Sequence, residues 1–368
     1  MEVISMAKTL VYQLSPITWE EQGGLKAMMR HLDVASDLGA DYVWLSPIYP
    51  SPRKDRGYDI ADFTAVDLRL GTMADFDAFV KKAHSFGIGV VMDLVINHTS
   101  VDHVWFKDHP EYYCWTESNY LHRWTNLLDG SEYTWEYDKS QQEYYLHLYH
   151  ESEADLNWFP WRERINKELV REYRQIVKFW TEKHEVDGFH LTKVQATNKD
   201  LRWPELERDN LLFGSRAREI IKAVFYDAND LFIMMDCMDP TYGGLTEFYT
   251  EDTQVDFVTN SLLKEAHTEG QDEFEKIINS ACKDPRYMLE FESEYVSRFP
   301  TRNYQPEWAI WTLFTSEAEG VCLFQGEELG LISPPNQPIK QSEYEWQSKN
   351  PSSYYNLTKK WIDYWKSH

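Results

Sequence analysis

Short apolar runs rich in valine, isoleucine and aromatic residues recur along this chain, separated by longer amphipathic stretches. Runs of this length predict buried β-strands and the stretches between them predict helices, so the pattern indicates repeated βα units. Strands that alternate with helices pair in parallel, and eight of them close into a barrel. The eight runs span residues 9–16, 41–47, 89–97, 186–191, 230–236, 254–260, 286–291 and 320–325. The sequence therefore predicts an α/β fold, a (β/α)8 or TIM barrel, with its functional groups at the C-terminal ends of the strands.

One connection is much too long for an ordinary loop between a strand and the next helix. Residues 98–160 form a stretch of about 60 residues, whereas such loops usually have about 2–6. The stretch is crowded with tryptophan and tyrosine, which favours a small β-rich lobe. We therefore expect a barrel made of residues 1–97 and 161–368, with residues 98–160 inserted after the third strand as a subdomain over the barrel mouth.

The charge balance excludes several classes of partner. The chain has 61 Asp and Glu against 37 Lys and Arg, a net charge of −24, which repels nucleic acid phosphates and anionic membrane surfaces. No apolar run approaches the ~18 residues of a membrane-spanning helix. We therefore expect neither nucleic acid nor membrane as a partner. Aromatic residues make up 15% of the chain, and because aromatic faces both stack on sugar rings and fill cores, composition alone leaves both roles open.

No cofactor or metal site is expected. The four cysteines, Cys114, Cys237, Cys282 and Cys322, are far apart and lack CxxC spacing, which favours buried thiols over zinc ligands or a disulfide framework. The loop after the first strand has two glutamates but no DxDxDG spacing of a calcium loop, and no phosphate-cradling glycine loop occurs. The first residues show no signal-peptide pattern, so we expect a cytoplasmic location.

A set of motifs in a fixed order points to a family. ADYVWLSPIYPSP (residues 40–52), RGYDIADF (56–63), DLVINHTS (93–100), ADLNW (154–158) and FQGEELG (324–330) resemble the second and third strands, the inserted subdomain and the eighth strand of one group of enzymes. These are the oligo-1,6-glucosidases, α-glucosidases and trehalose-6-phosphate hydrolases of glycoside hydrolase family 13, the α-amylase superfamily. The resemblance covers nearly the whole chain. It implies an α-glucosidase-like protein of carbohydrate metabolism, with α-glucosides or isomaltooligosaccharides as ligands.

The resemblance also identifies the positions of the family's catalytic carboxylates, and two of the three carry no acid. Retaining glycosidases place a nucleophilic carboxylate about 5–5.5 Å from an acid–base carboxyl, and this family adds a third acid. DGFHLT (residues 187–192) resembles the DGFRxD pattern, so Thr192 stands at the nucleophile and His190 at the arginine. Asp236 stands at the acid–base glutamate, one methylene shorter. Counting back from YVSRF, Phe291 stands at the third acid.

These substitutions imply a protein that is inactive or severely impaired, a pseudoenzyme, because members of a catalytic set act as a unit. The alternative is an active α-glucosidase or glucosyl transferase in which Asp236 works with a relocated glutamate, Glu290 or Glu292. Glu290, Glu292 and Glu294 alternate along one strand and face the same side. We favour a solvent-exposed strand end as the interpretation of these glutamates.

Part of the sugar-binding set of the family is retained. Tyr58, Asp59 and His98 match positions that hold the innermost sugar unit, and His190 completes the predicted substrate-binding set. Each of the first three has a structural alternative: Tyr58 as a packed aromatic, Asp59 as a turn residue, and His98 as a hydrogen-bonded residue at the top of the barrel. We favour sugar binding for Asp59 and His98 and leave both roles open for Tyr58.

The end of the sequence also departs from the family pattern. In the family, the segment matched by FQGEELG leads into a final barrel helix and then a C-terminal β-sandwich. Here residues 352–366 predict the closing helix, and because the given sequence ends at His368, we expect the sandwich to be absent. Barrel surface that the sandwich covers in the family is then expected to be exposed, which favours self-association or a protein partner.

Overall fold

The structure is a computed structural model that describes most of the chain. The described residues are 8–119, 124–160, 164–202, 211, 213–228, 230–237, 245–260, 275–276, 278–280, 282–293, 306–335 and 337–368.

Eight parallel strands form the barrel, and the predicted α/β TIM-barrel fold is confirmed. The strands of the described residues, those of the barrel and of the insertion together, are in chain order β1 (Thr9–Leu14), β2 (Tyr42–Leu45), β3 (Gly89–Val95), β4 (His98–Ser100), β5 (Trp115–Thr116), β6 (Trp135–Asp138), β7 (Glu143–Leu146), β8 (Glu153–Asp155), β9 (Gly188–Thr192), β10 (Phe232–Cys237), β11 (Phe257–Asn260), β12 (Met288–Glu290) and β13 (Gly320–Phe324). The barrel sheet has the order β11-β10-β9-β3-β2-β1-β13-β12. A parallel bridge between Val258 and Tyr287 joins its two edges, so the ring nearly closes.

Aromatic rings fill the interior at the N-terminal end of the barrel. Tyr42 and Phe232 stack with ring centroids 4.0 Å apart and an interplanar angle of 9°. Glycines on the neighbouring strands make room for them: a Cβ at Gly89 would lie 2.6 Å from the Tyr42 ring, and one at Gly188 would lie 2.0 Å from the carbonyl oxygen of Phe232. Since this end is packed with side chains, polar groups can converge only at the opposite end, the barrel mouth.

Helices cover the outside of the barrel. They are α1 (Leu25–Met28), α2 (His31–Asp37), α3 (Met73–Ser85), α4 (Val104–Asp108), α5 (Lys167–His184), α6 (Ser215–Val224), α7 (Leu245–Thr250), α8 (Pro306–Thr315), α9 (Gln341–Lys349) and α10 (Tyr354–Ser367). Thr72 and Asp75 form a capping box at the start of α3. Helix α5 buries Leu169, Tyr173 and Trp180, which lie on one face because they are spaced by four and seven residues. None of the described helices is both long enough and apolar enough to cross a membrane.

A β-rich insertion follows β3, as the fold prediction requires. Strand β4 pairs antiparallel with β8, and β7 pairs with both β5 and β6. A small hydrophobic cluster in the insertion includes Cys114, Trp124 and Trp135, and it also contains Ala196, from the segment after β9. This packing joins the insertion to the segment after β9. The predicted domain limits, 1–97 with 161–368 and 98–160, stay a prediction.

Candidate active site at the barrel mouth

Asp93 and His190 form the floor of the barrel mouth. The register of β3 and β9 pairs these two residues directly, and strand alternation turns both side chains into the barrel. His190 Nδ1 lies 2.6 Å from Asp93 Oδ1, and Trp44 Nε1 donates to the same oxygen at 3.0 Å. The Tyr58 hydroxyl donates to Asp93 Oδ2 at 3.0 Å. Two residues predicted to bind sugar, Tyr58 and His190, thus lie close together, and both are hydrogen-bonded to the fully buried carboxylate of Asp93.

Thr192 and Asp236 meet at the ends of β9 and β10. The register pairs Leu191 with Met235, so the next residue on each strand adjoins the other. The Thr192 hydroxyl donates to Asp236 Oδ2 at 2.9 Å, and the backbone N–H of Lys193 donates to Asp236 Oδ1 at 2.9 Å. Both carboxylate oxygens of Asp236, the predicted acid–base residue, therefore accept hydrogen bonds from Thr192 or from the residue that follows it.

Lys193 sends its side chain across the mouth from a backbone in the left-handed region, with φ of 58°. Its Nζ donates to Asp55 Oδ2 at 2.7 Å and lies 3.7 Å from Glu153 Oε2. The same Nζ lies 4.4 Å from the ring centroid of Tyr149 and 5.2 Å from that of Tyr58. Burial alone would lower the pKa of the Lys193 ammonium, but Glu153 and Asp55 more than offset this, so the pKa is raised above its ordinary value.

His98 and Glu153 form a buried pair where β4 and β8 meet. His98 Nε2 lies 3.2 Å from Glu153 Oε1, and neither side chain is exposed to solvent. Burial would raise the pKa of Glu153, but His98 and Lys193 lower it to about 2. The pKa of the neighbouring Tyr149 hydroxyl is raised, not lowered. Burial and then the charges of nearby acids, Asp236 first, raise it well above its ordinary value. The acids that surround Tyr149 are Asp236, Asp155, Glu153 and Asp55.

Asp59 stabilises the turn before it. The Ser51 hydroxyl donates to its Oδ1 at 2.6 Å, and the Lys54 backbone N–H donates to its Oδ2 at 2.9 Å. Ser152, from the insertion, donates to Oδ2 at 3.4 Å. Because the carboxylate is fully buried in these contacts, the structural alternative accounts for its geometry, and its sugar-binding role stays a prediction.

The prediction of a solvent-exposed strand end after β12 is wrong for the two glutamates that the structure describes. Glu290 is 1% exposed and Glu292 2% exposed. Met288 packs inside the barrel and Leu289 packs in the outer hydrophobic layer, so strand alternation turns Glu290 inward. Phe291, at the predicted position of the family's third acid, is fully buried in the outer layer. The third glutamate of this set, at position 294, lies outside the described residues.

Sequence reasoning missed the residues that form the ionic centre of the mouth: Lys193, Asp55, Glu153 and Tyr149. Signals for two of them are visible in the sequence, since Lys193 directly follows Thr192, the predicted nucleophile position, and Glu153 directly precedes ADLNW. Their convergence depends on the pairing of β4 with β8 and on the left-handed backbone at Lys193, which residue types do not reveal. In the described ranges, no group of three or more His, Cys, Asp or Glu side chains is arranged to hold a metal ion.

Comparison with known proteins shows where this barrel belongs. The family model described as "Alpha amylase, catalytic domain" matches residues 15–360. The trehalose-6-phosphate hydrolase of Escherichia coli K12 is 36% identical over 231 residues, which is 58% of this chain and 40% of that protein. The oligo-1,6-glucosidase of Parageobacillus thermoglucosidasius is 37% identical over 223 residues, 56% of this chain and 38% of that protein. The matched region thus spans less than half the length of these curated relatives.

Solved structures agree on the fold. A variant of the trehalose-6-phosphate hydrolase of Bacillus licheniformis has a TM-score of 0.85 at 23% identity, covering 98% of this chain and 84% of that one. A variant of a trehalulose synthase has a TM-score of 0.82 at 19% identity, with 98% and 84% covered. Likeness at this identity speaks for the fold alone. The match of the family model to residues 15–360 shows the family as well as the fold: this chain belongs to the α-amylase family, glycoside hydrolase family 13, through its catalytic-domain barrel.

Proposed function

We propose that this chain is an α-glucosidase-like member of its family that no longer hydrolyses α-glucosides by the retaining mechanism. The observation that carries the proposal is the 2.9 Å hydrogen bond from Thr192 Oγ1 to Asp236 Oδ2. A retaining mechanism needs two carboxyl groups about 5–5.5 Å apart, with the anomeric carbon between them. Here a neutral hydroxyl stands at the nucleophile position, directly bonded to the acid it should face across the substrate.

The position of Asp236 supports the same conclusion. Aspartate is one methylene shorter than glutamate, which withdraws the carboxyl by about 1.5 Å, and a misplacement of about 1 Å can cost ~100-fold in rate. The hydrogen bonds from Thr192 and from the Lys193 backbone fix the Asp236 carboxylate at the strand end. Turning it toward a substrate would break both bonds.

The proposed remaining roles are weak binding of α-glucosides or a scaffold function in carbohydrate metabolism. The curated relatives named above include a trehalose-6-phosphate hydrolase and an oligo-1,6-glucosidase, so trehalose 6-phosphate and isomaltose are the first ligands to test. The cytoplasmic location stays a prediction. Self-association is a further proposal, and the exposed aromatic side chains of Trp311 and Trp346 on α8 and α9 are its first candidates for mutation.

Turnover assays test the proposal directly. Purified protein is incubated with p-nitrophenyl α-glucoside, isomaltose, maltose and trehalose 6-phosphate, and the release of product is compared with that of the Asp236→Asn variant. We expect the two proteins to match at background. Turnover that disappears in Asp236→Asn would defeat the proposal.

The alternative is an active enzyme in which Asp236 works with a relocated glutamate. One observation favours Glu290 for that role, because it is buried and turned into the barrel by strand alternation. Intact-mass spectrometry during incubation with an activated α-glucoside separates the two functions. A covalent glucosyl adduct on the unmodified protein that is missing from Glu290→Gln would establish the alternative.

A further inference from the structure

The side chain of Lys193 runs among the residues that the family uses to hold its innermost sugar unit. Its Nζ lies 5.2 Å from the ring centroid of Tyr58 and 3.7 Å from Glu153 Oε2. The other oxygen of Glu153 lies 3.2 Å from His98 Nε2. Tyr58 and His98 match the sugar-holding positions of the family, so the ammonium group and a sugar unit would compete for the same space. Only 13% of the Lys193 side chain is exposed.

The contacts around Nζ are those of a binding site for a primary ammonium ion. One carboxylate oxygen of Asp55 accepts a hydrogen bond at 2.7 Å, and Glu153 adds a second negative charge. The ring centroid of Tyr149 lies 4.4 Å from Nζ, and the ring centroid of Tyr58 lies 5.2 Å from it. Both distances are within the ~6 Å range of a cation–π contact. Charge-assisted hydrogen bonds and aromatic faces together recognise an ammonium ion, whereas a neutral sugar would not compensate the acids.

We propose that Asp55, Glu153, Tyr58 and Tyr149 form an ammonium-binding cage, and that Lys193 is its tethered occupant, which closes the innermost sugar subsite. This inference rests on the proposed loss of hydrolysis, because it explains how the same subsite is filled from within the chain. The chemical class of ligand that the cage accepts is a primary alkylammonium ion.

The electrostatics of the neighbourhood agree with the cage. Glu153 and Asp55 hold the pKa of Lys193 above its ordinary value, although burial acts against this. The pKa of Glu153 is lowered to about 2 by His98 and Lys193, so it is ionised at neutral pH. The Lys193 ammonium therefore faces ionised acid on the cage side at any physiological pH.

Chemical rescue tests the cage. Lys193→Ala removes three methylenes and the amine, which together have the composition of n-propylammonium. We expect Lys193→Ala to melt at a lower temperature than the wild type. Adding n-propylammonium chloride should restore its Tm with a saturating dose dependence and a Kd on the order of millimolar, as expected for a ligand of four heavy atoms. Sodium chloride and n-propanol at equal concentrations are the solution controls.

Lys193→Met is the matched control variant, because its stem still fills the space between the rings. We expect no rescue of Lys193→Met by n-propylammonium, and none of the double variant Lys193→Ala with Asp55→Asn. If n-propanol or sodium chloride raises the Tm of Lys193→Ala as much as n-propylammonium does, or if both Lys193 variants respond alike, the cage is refuted.

A measurement on the unmodified protein covers the case in which the variants do not fold. Acylation of lysines by acetic anhydride at pH 8, followed by peptide mass spectrometry, should label Lys193 at least tenfold more slowly than Lys26, whose side chain is 69% exposed. Equal labelling would overturn the tethered occupant. Hydrolysis of α-glucosides by the wild type would instead overturn the proposed function while the rescue result stood, so the two failures are distinguishable.

Discussion

Replacing Thr192 by aspartate places a carboxylate at the predicted nucleophile position, and we expect this change alone to destabilise the protein without restoring activity. Thr192 Oγ1 is 2.9 Å from Asp236 Oδ2, so the new carboxylate would face Asp236 at close range. Two like charges about 4 Å apart repel by about 4 kcal/mol at an effective dielectric constant of 20. The lost hydrogen bond to a charged group adds about 1.5–3 kcal/mol, and the neighbouring Lys193 offsets part of the sum.

The pH dependence of the Thr192→Asp variant has a definite sign. Repulsion raises the folded-state pKa of one of the two carboxyls above its unfolded value of about 3.9, so the folded state binds more protons in that range. Stability is then lost as the pH rises through the raised pKa. Urea denaturation should show Thr192→Asp less stable than wild type at pH 7.5, with a smaller difference at pH 4.5.

Thr192→Asn is the matched control, because its side chain has the shape of aspartate without the charge. We expect the stability difference between Thr192→Asp and Thr192→Asn to shrink on acidification. A difference that is the same at pH 4.5 and pH 7.5 would refute the electrostatic reasoning. Hydrolysis of p-nitrophenyl α-glucoside by Thr192→Asp would refute the argument that the two carboxyls stand too close for a retaining mechanism.

Two further predictions concern the buried pair and the packed end of the barrel. Glu153→Gln should lower the free energy of unfolding at pH 7 by on the order of 3 kcal/mol, because the folded-state pKa of Glu153, about 2, lies below the ordinary value of 4.5. In urea denaturation the difference in stability between the variant and the wild type should shrink as the pH falls from 4.5 toward 2. A difference that stays constant over this range would contradict the prediction. Gly188→Ala should prevent folding, because its Cβ would lie 2.0 Å from the backbone oxygen of Phe232. In Gly89→Ala the new Cβ would instead contact the Tyr42 ring, which can move, so thermal denaturation should show a loss of about 1–3 kcal/mol. Equal losses in the two glycine variants would contradict the packing argument.

The barrel is predictable from the sequence because each buried parallel strand leaves a continuous apolar run of its own. The run at residues 89–97, for example, contains β3, and the run at 186–191 contains most of β9. The register of these two strands, which the runs alone do not determine, places Asp93 beside His190. Resemblance to the family adds predicted roles for residues at the strand ends, Thr192 and Asp236 among them, whereas their contact is known only from the structure.

Two features escape such reasoning for physical reasons. Alternating glutamates predict a solvent-exposed face on an isolated strand. In a closed barrel, however, one of the two faces of each strand lines the interior, so Glu290 is buried. The reach of Lys193 depends on a left-handed backbone that residue type does not predict for a lysine. Its partner Asp55 comes from a loop whose course depends on the turn that Asp59 stabilises.

The departures from the family pattern at the mouth act as a set. His190, at the predicted position of the family arginine, bonds to Asp93; Thr192, at the predicted position of the nucleophile, bonds to Asp236; and Lys193 bonds to Asp55. Each of these side chains therefore adds a hydrogen-bond partner to a carboxylate at the mouth: Asp93 also accepts from Trp44 and Tyr58, and Asp236 from the Lys193 backbone N–H. Changing Thr192 alone leaves the Lys193 side chain bonded to Asp55 and the Lys193 backbone N–H bonded to Asp236. Restoring a carboxylate at position 192 alone should therefore leave turnover at background.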